Sequence, residues 1–168
     1  MSNPVNSEIR LANNWPVTKV DDCLTRQARS EIIHFLRERH EERFFDPIRH
    51  LTASCNKQGY GFAIMALCFL LIETIQCYRC GLPSTPQGKG RTIFKAFFAE
   101  YVSLFPNVDG EKFYLNIRNG LLHQAETKDG WTIRTGQPSL CNWNDKIIDR
   151  DKFADALKKG IRRLSGRA

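Results

Sequence analysis

The stretch Phe113-Tyr-Leu-Asn-Ile-Arg-Asn-Gly-Leu-Leu-His123 is the most informative part of the chain for chemistry. Drawn on an ideal helix at about 100° per residue, Phe113, Ile117 and Leu121 form an apolar stripe, while Asn119 and His123 share a different face. Arg118 stands roughly 140° from His123 on the same drawing. An arginine donates two parallel hydrogen bonds to a phosphate, and an imidazole with an unperturbed pKa of about 6.5 gives or takes a proton near neutral pH. Gly120 weakens the helix and leaves room for a backbone to approach. Three ordinary surface residues would give the same pattern.

Two other spacings invite chemistry and do not sustain it. Cys77-Tyr-Arg-Cys80 has the spacing of a zinc half-site, but no second CxxC or HxxxH accompanies it, so the pair reads as helix packing. The loop Gly81 to Arg91 contains Gly88-Lys89-Gly90, but six residues separate Gly81 from Gly88 and glycine, not Ser or Thr, follows Lys89. A phosphate loop is excluded; a basic loop carrying Lys89 and Arg91 remains.

These residues need a scaffold. A chain of 168 residues, 42% hydrophobic and 26% charged, with 11 Gly and 7 Pro, is long enough for one core and excludes disorder along its whole length. Lys and Arg number 25 against 18 acidic residues, a net charge of +7 that favours polyanionic partners, although solubility accounts for the same surplus. The six cysteines, Cys23, Cys55, Cys68, Cys77, Cys80 and Cys141, come without a basic and then apolar leader, so reduced thiols and a cytoplasmic location are expected. The longest apolar run, Tyr60 to Ile72, has 13 residues, short of the roughly 18 that suggest a membrane span.

The expected architecture is all-α, about five helices, with a small β-hairpin near residues 131–143. Residues 1–20 read as an N-terminal arm or short strand on the surface of a single domain of residues 1–168. A long amphipathic helix follows from Asp21 or Asp22 to Phe44, ended by Asp46-Pro47. A second helix, Tyr60 to Cys80, is apolar nearly all round and so belongs mid-bundle, with Glu73, Gln76 and Arg79 at its polar end. A third, Thr92 to Leu104, brings Phe94, Phe97, Phe98 and Tyr101; Asp109 caps the helix containing Arg118; an amphipathic helix from Asp151 to Leu164 closes the chain. Trp131 and Trp143, on the expected hairpin, either close a small core or stack on bases.

Arg118-Asn-Gly-Leu-Leu-His123, with asparagine directly after arginine and an aromatic, apolar helix before it, resembles the Arg-x4-6-His signature of the HEPN family. Arg29 to His34 and Arg43 to His50 also fit the spacing, but the first has Ser30 after its arginine and the second crosses Asp46-Pro47. The order of helices from about residue 25 is similar to that family's as well. The resemblance implies a helical homodimer whose two motif helices face each other across a basic cleft, and an endoribonuclease that needs neither metal nor cofactor. It implies catalytic roles for Arg118 and His123, with Asn119 assisting, and RNA as substrate. Glu73 is then placed to hold Arg118 by a charge-assisted hydrogen bond, and Lys89 and Arg91 to support the substrate.

RNA carries its own nucleophile, so such a site need only align the 2′-hydroxyl and stabilise charge, leaving a 2′,3′-cyclic phosphate. The resemblance extends to microbial toxins or defence effectors held by an antitoxin or another partner protein, with no membrane involved. It equally covers relatives that bind RNA, a nucleotide or a partner without cutting. A plain helical scaffold, with the polar residues as its wet face, is the third reading.

Overall fold

A computed structural model describes residues 9–54 and 59–164 of the chain, so Cys55 lies outside the described residues. Among the described residues the protein is mainly helical with two small sheets. Its contacts divide it into two compact units, between Pro47 and Ile48.

In the first unit, β1 (Arg10–Ala12) pairs antiparallel with β2 (Trp15–Pro16). Helices α1 (Val17–Thr25) and α2 (Arg29–His40) follow. Ala12, Trp15, Val20, Cys23 and Phe35 are buried together, with Leu11, Ile32 and Leu36 against them. Of the expected arm, the described residues 9–20 contain two short strands and bury Ala12, Trp15 and Val20 in this core, while Ile9, Arg10 and Asn13 stay exposed. Trp15 is anchored at both ends, its ring against Phe35 and its indole N–H donating to Glu38 at 2.5 Å.

The single helix expected from Asp21 or Asp22 to Phe44 is two helices. Gln27 adopts the left-handed conformation at φ 53°, and the Ala28 N–H donates to the Cys23 carbonyl at 2.8 Å, closing α1 with a Schellman turn. Nor does Asp46-Pro47 end the second of them. A π turn over Glu41–Phe45 widens the helix just before the proline, and α3 (Asp46–Ser54) continues. The wide turn absorbs the missing N–H and the ring clash that proline imposes on a regular helix.

The second unit is built on α4 (Gly61–Arg79) and α5 (Gly90–Glu100). α4 packs against α5 and against α8 (Arg150–Leu164), and its Ile64, Met65, Cys68, Phe69, Leu71 and Ile72 are fully buried. By length and composition α4 could cross a membrane, but half of its most apolar stretch is buried within the protein. Phe62, Leu70 and Tyr78 face solvent, so it is not covered on all sides. Rings from four helices fill the core between them: Phe69, Phe94, Phe98, Phe113 and Phe153, with Phe113 and Phe153 stacked at 5.2 Å.

The expected hairpin is also revised. β3 (Thr132–Arg134) and β4 (Cys141–Asn142) do not pair with each other; both flank β5 (Ile147–Asp149), parallel and antiparallel respectively. Asp149 ties this sheet to α8: its carboxylate accepts from the Lys152 N–H at 2.9 Å, capping the helix, and from the Gln137 N–H at 2.7 Å.

Candidate functional site

Asp109 starts the helix that carries the site, its side chain accepting from the backbone N–H groups of Glu111 and Lys112 at 3.0 and 3.1 Å. The helix is not regular. After α6 (Gly110–Phe113) comes a π turn over Tyr114–Arg118, then α7 (Asn119–Gln124). A four-residue repeat drifts about 40° per step on an α-helix, so Phe113, Ile117 and Leu121 would fan over roughly 80°. The π turn advances less per residue and cancels that drift. All three side chains are buried as a result.

Arg118 is the last residue of that turn and meets α4. Its Nε and one terminal nitrogen donate to the same oxygen of Glu73, at 3.0 and 2.7 Å, and its other terminal nitrogen donates to Asn119 Oδ1 at 3.3 Å. Both partners of the ion pair are largely buried, with side chains 17% and 16% exposed. The Tyr114 ring lies 5.4 Å from the guanidinium, and Thr85 donates to the second Glu73 oxygen at 3.2 Å. Among the described residues three of its five N–H donors are thus used, leaving one on each terminal nitrogen. Arg118 is aimed, and it retains two donors for a ligand.

Gly120 has a steric reason to be glycine. A Cβ there would stand 2.5 Å from the Glu126 carbonyl oxygen and 3.1 Å from the Lys128 N, because the following turn folds back and Lys128 N–H donates to the Asn116 carbonyl at 2.7 Å. The room that glycine leaves is filled by this chain's own backbone. Ala125, at φ 54°, ends the helix two residues beyond His123. His123 is exposed and has no hydrogen-bond partner among the described residues.

The structure therefore joins Glu73, Arg118 and Asn119 by direct hydrogen bonds. His123 stays apart, on the same helix but free in solvent, and the five α-helical steps from Arg118 keep it about 140° away. Lys89 precedes α5 and is exposed; Arg91 is drawn to Glu111 at 3.1 Å. Gly90, between them, lies under Tyr114, where a Cβ would come within 2.5 Å of the phenol oxygen. The basic loop end thus reaches the Arg118 cluster through Tyr114. Tyr114 and Thr85 are the members that residue patterns did not single out. Thr85 lies in a loop with no periodicity, and Tyr114 reads as one more apolar position until its spacing of four from Arg118 is considered.

Cys77 is buried, 3.6 Å from Thr85 Oγ1, and Cys80 is exposed. Among the described residues no group of three His, Cys, Asp or Glu side chains could hold a metal ion. Burial pushes the Cys141 thiol up to about 12 and the Cys68 thiol higher still, so neither is an activated nucleophile. No family model, curated protein or solved structure matches the chain, and its function rests on its own residues.

Proposed function

We propose that the chain is a metal-independent endoribonuclease of the HEPN type, acting as a homodimer on RNA. The observation that carries the proposal is the clamping of Arg118 by Glu73 and Asn119 with two donors left over, five residues before an exposed imidazole on the same helix. In the proposed reaction His123 takes the proton of a 2′-hydroxyl, whose oxygen attacks the adjacent phosphorus. The bond from phosphorus to the 5′-oxygen breaks, and that oxygen takes a proton from water, the hydroxide so formed recovering the proton held by His123. Arg118 compensates the charge that builds on the phosphoryl oxygens. The products are a 2′,3′-cyclic phosphate and a 5′-hydroxyl.

Leu70 on α4 and Leu115 and Leu122 beside Arg118 are exposed and supply apolar surface for a second copy. Leu70 is three residues from Glu73, and Leu115 and Leu122 are three and four from Arg118, so they flank the ion pair.

One observation favours a second reading. The charge of Arg118 is already compensated by Glu73. This suits a module that binds RNA or a nucleotide without cutting. Incubation of a mixed RNA pool with the protein in excess EDTA separates the two. Cyclic-phosphate ends are expected from the parent, with rates at least about 100-fold lower for Arg118→Ala and His123→Ala of unchanged helicity. Cleavage that survives in both variants, or none by the parent, removes the nuclease reading.

A further inference from the structure

A cleft of about 520 Å³ lies on the second unit beside the first turns of the motif helix. Lys112 and Asn116 of that helix line one wall, and Asn107, Trp143 and Lys146 contribute to the rest. Its volume falls within the usual range for small-molecule sites. None of these residues belongs to the Arg118 cluster, yet Asn116 is only three residues from Asn119, about 4.5 Å along the helix axis.

The chemistry of the lining is specific. Trp143 stands edge-to-face on the buried Trp131, ring centres 4.6 Å apart, and its indole N–H donates to the Asn107 carbonyl. It is thereby a fixed, partly exposed aromatic wall. The side-chain amides of Asn107 and Asn116 have no hydrogen-bond partner among the described residues, and neither does the Lys112 ammonium. Of the two carboxylates in the lining, Asp129 pairs with Lys146 at 3.0 Å, while Asp109 caps the helix through one oxygen and keeps its charge, so two lysines and two aspartates balance. A fixed aromatic face and two amides each offering a donor and an acceptor match a base, and the Lys112 ammonium, in no ion pair among the described residues, is the group that can meet its phosphate. Single-stranded RNA is recognised by that combination of stacking and edge hydrogen bonds.

We infer that this cleft is a nucleotide subsite, holding the base of a nucleotide that flanks the cut phosphate against Trp143, with Asn107 and Asn116 at the base edge and Lys112 at the phosphate. The inference rests on the ribonuclease reading for the polymer that delivers the nucleotide, and not for the binding itself.

The test is equilibrium binding of AMP, UMP and ribose 5-phosphate to the full chain at low salt, followed by ligand-observed NMR. A nucleoside monophosphate should bind at least about tenfold more tightly than ribose 5-phosphate, with Trp143→Ala losing roughly tenfold or more and Trp143→Phe retaining most of the affinity. Lys112→Ala and Asn116→Ala, on a helix surface, should each weaken binding. Should Trp143→Ala fail to fold, the Lys112 and Asn116 variants decide. No saturable monophosphate binding, equal binding of ribose 5-phosphate, or affinity unchanged in the double variant Lys112→Ala/Asn116→Ala overturns the inference. RNA cleavage is followed in parallel: its loss with monophosphate affinity intact sinks the ribonuclease reading and leaves the subsite standing. Cleavage without monophosphate affinity does the reverse.

Discussion

Gly120 sets two preferences against each other. Alanine is the better helix former by about 1 kcal/mol, so at an open position Gly120→Ala would stabilise the protein. Here the added methyl meets main-chain atoms at 2.5 and 3.1 Å, and the Lys128 N–H that it meets is fixed on the Asn116 carbonyl. Main chain cannot rotate aside as a flexible side chain does, and overpacking of this kind costs about 1–3 kcal/mol. The clash wins, and Gly120→Ala is expected to lower the urea midpoint by an amount worth roughly 1 kcal/mol. An unchanged or raised midpoint would show that the 125–130 turn does not close on the helix. Sequence made part of this site legible at the level of single residues. Glu73 stood out as a carboxylate closing an apolar helix, and Arg118 as a cation beside an apolar stripe, so their pairing could be anticipated. That Gly120 accommodates the chain's own turn could not, because residues 120 and 126 come together only through the left-handed Ala125.

Helix ends and helix irregularities decided where sequence reading succeeded among the elements. α4 and α8 lie within a residue of expectation, because α4 has a long apolar run with a Gly-Leu-Pro stop and α8 has strict amphipathic spacing. The break between α1 and α2 was hidden because its left-handed residue is Gln27, where glycine is the usual signal. The continuation through Pro47 was hidden for the opposite reason, since a proline signals a stop unless a wider turn absorbs it. β5 was missed because three residues carry too little alternation to register. The first of these is open to test. A non-glycine residue in the left-handed region is strained by about 1–2 kcal/mol, and glycine's extra freedom in the unfolded chain returns part of that. Gln27→Gly is therefore expected to raise stability by about 0.5–1 kcal/mol in urea unfolding, with Gln27→Ala close to the parent. A destabilised glycine variant would mean that α1 does not end at this turn.

At the scale of the whole molecule, the separation of Arg118 from His123 becomes a statement about assembly. One helix cannot direct two side chains about 140° apart at a single phosphate, and the π turn does not help, because it ends at Arg118 and leaves the five steps to His123 regular. In a two-fold dimer with these helices opposed, the Arg118 of one copy and the His123 of the other can converge, and the exposed Leu70, Leu115 and Leu122 lie on the surface that would close. Two consequences separate this arrangement from a self-sufficient monomer. Light scattering should give twice 19.4 kDa, with Leu122→Glu reducing it to a single chain and abolishing cleavage. Equimolar Arg118→Ala and His123→Ala chains, each inactive alone, should recover activity when unfolded and refolded together. Random pairing makes half of the dimers mixed, and each mixed dimer holds one intact site of two, so about a quarter of parental activity is expected. If each copy used its own Arg118 and His123, no mixture of the two variants would contain an intact site, and activity would stay at zero.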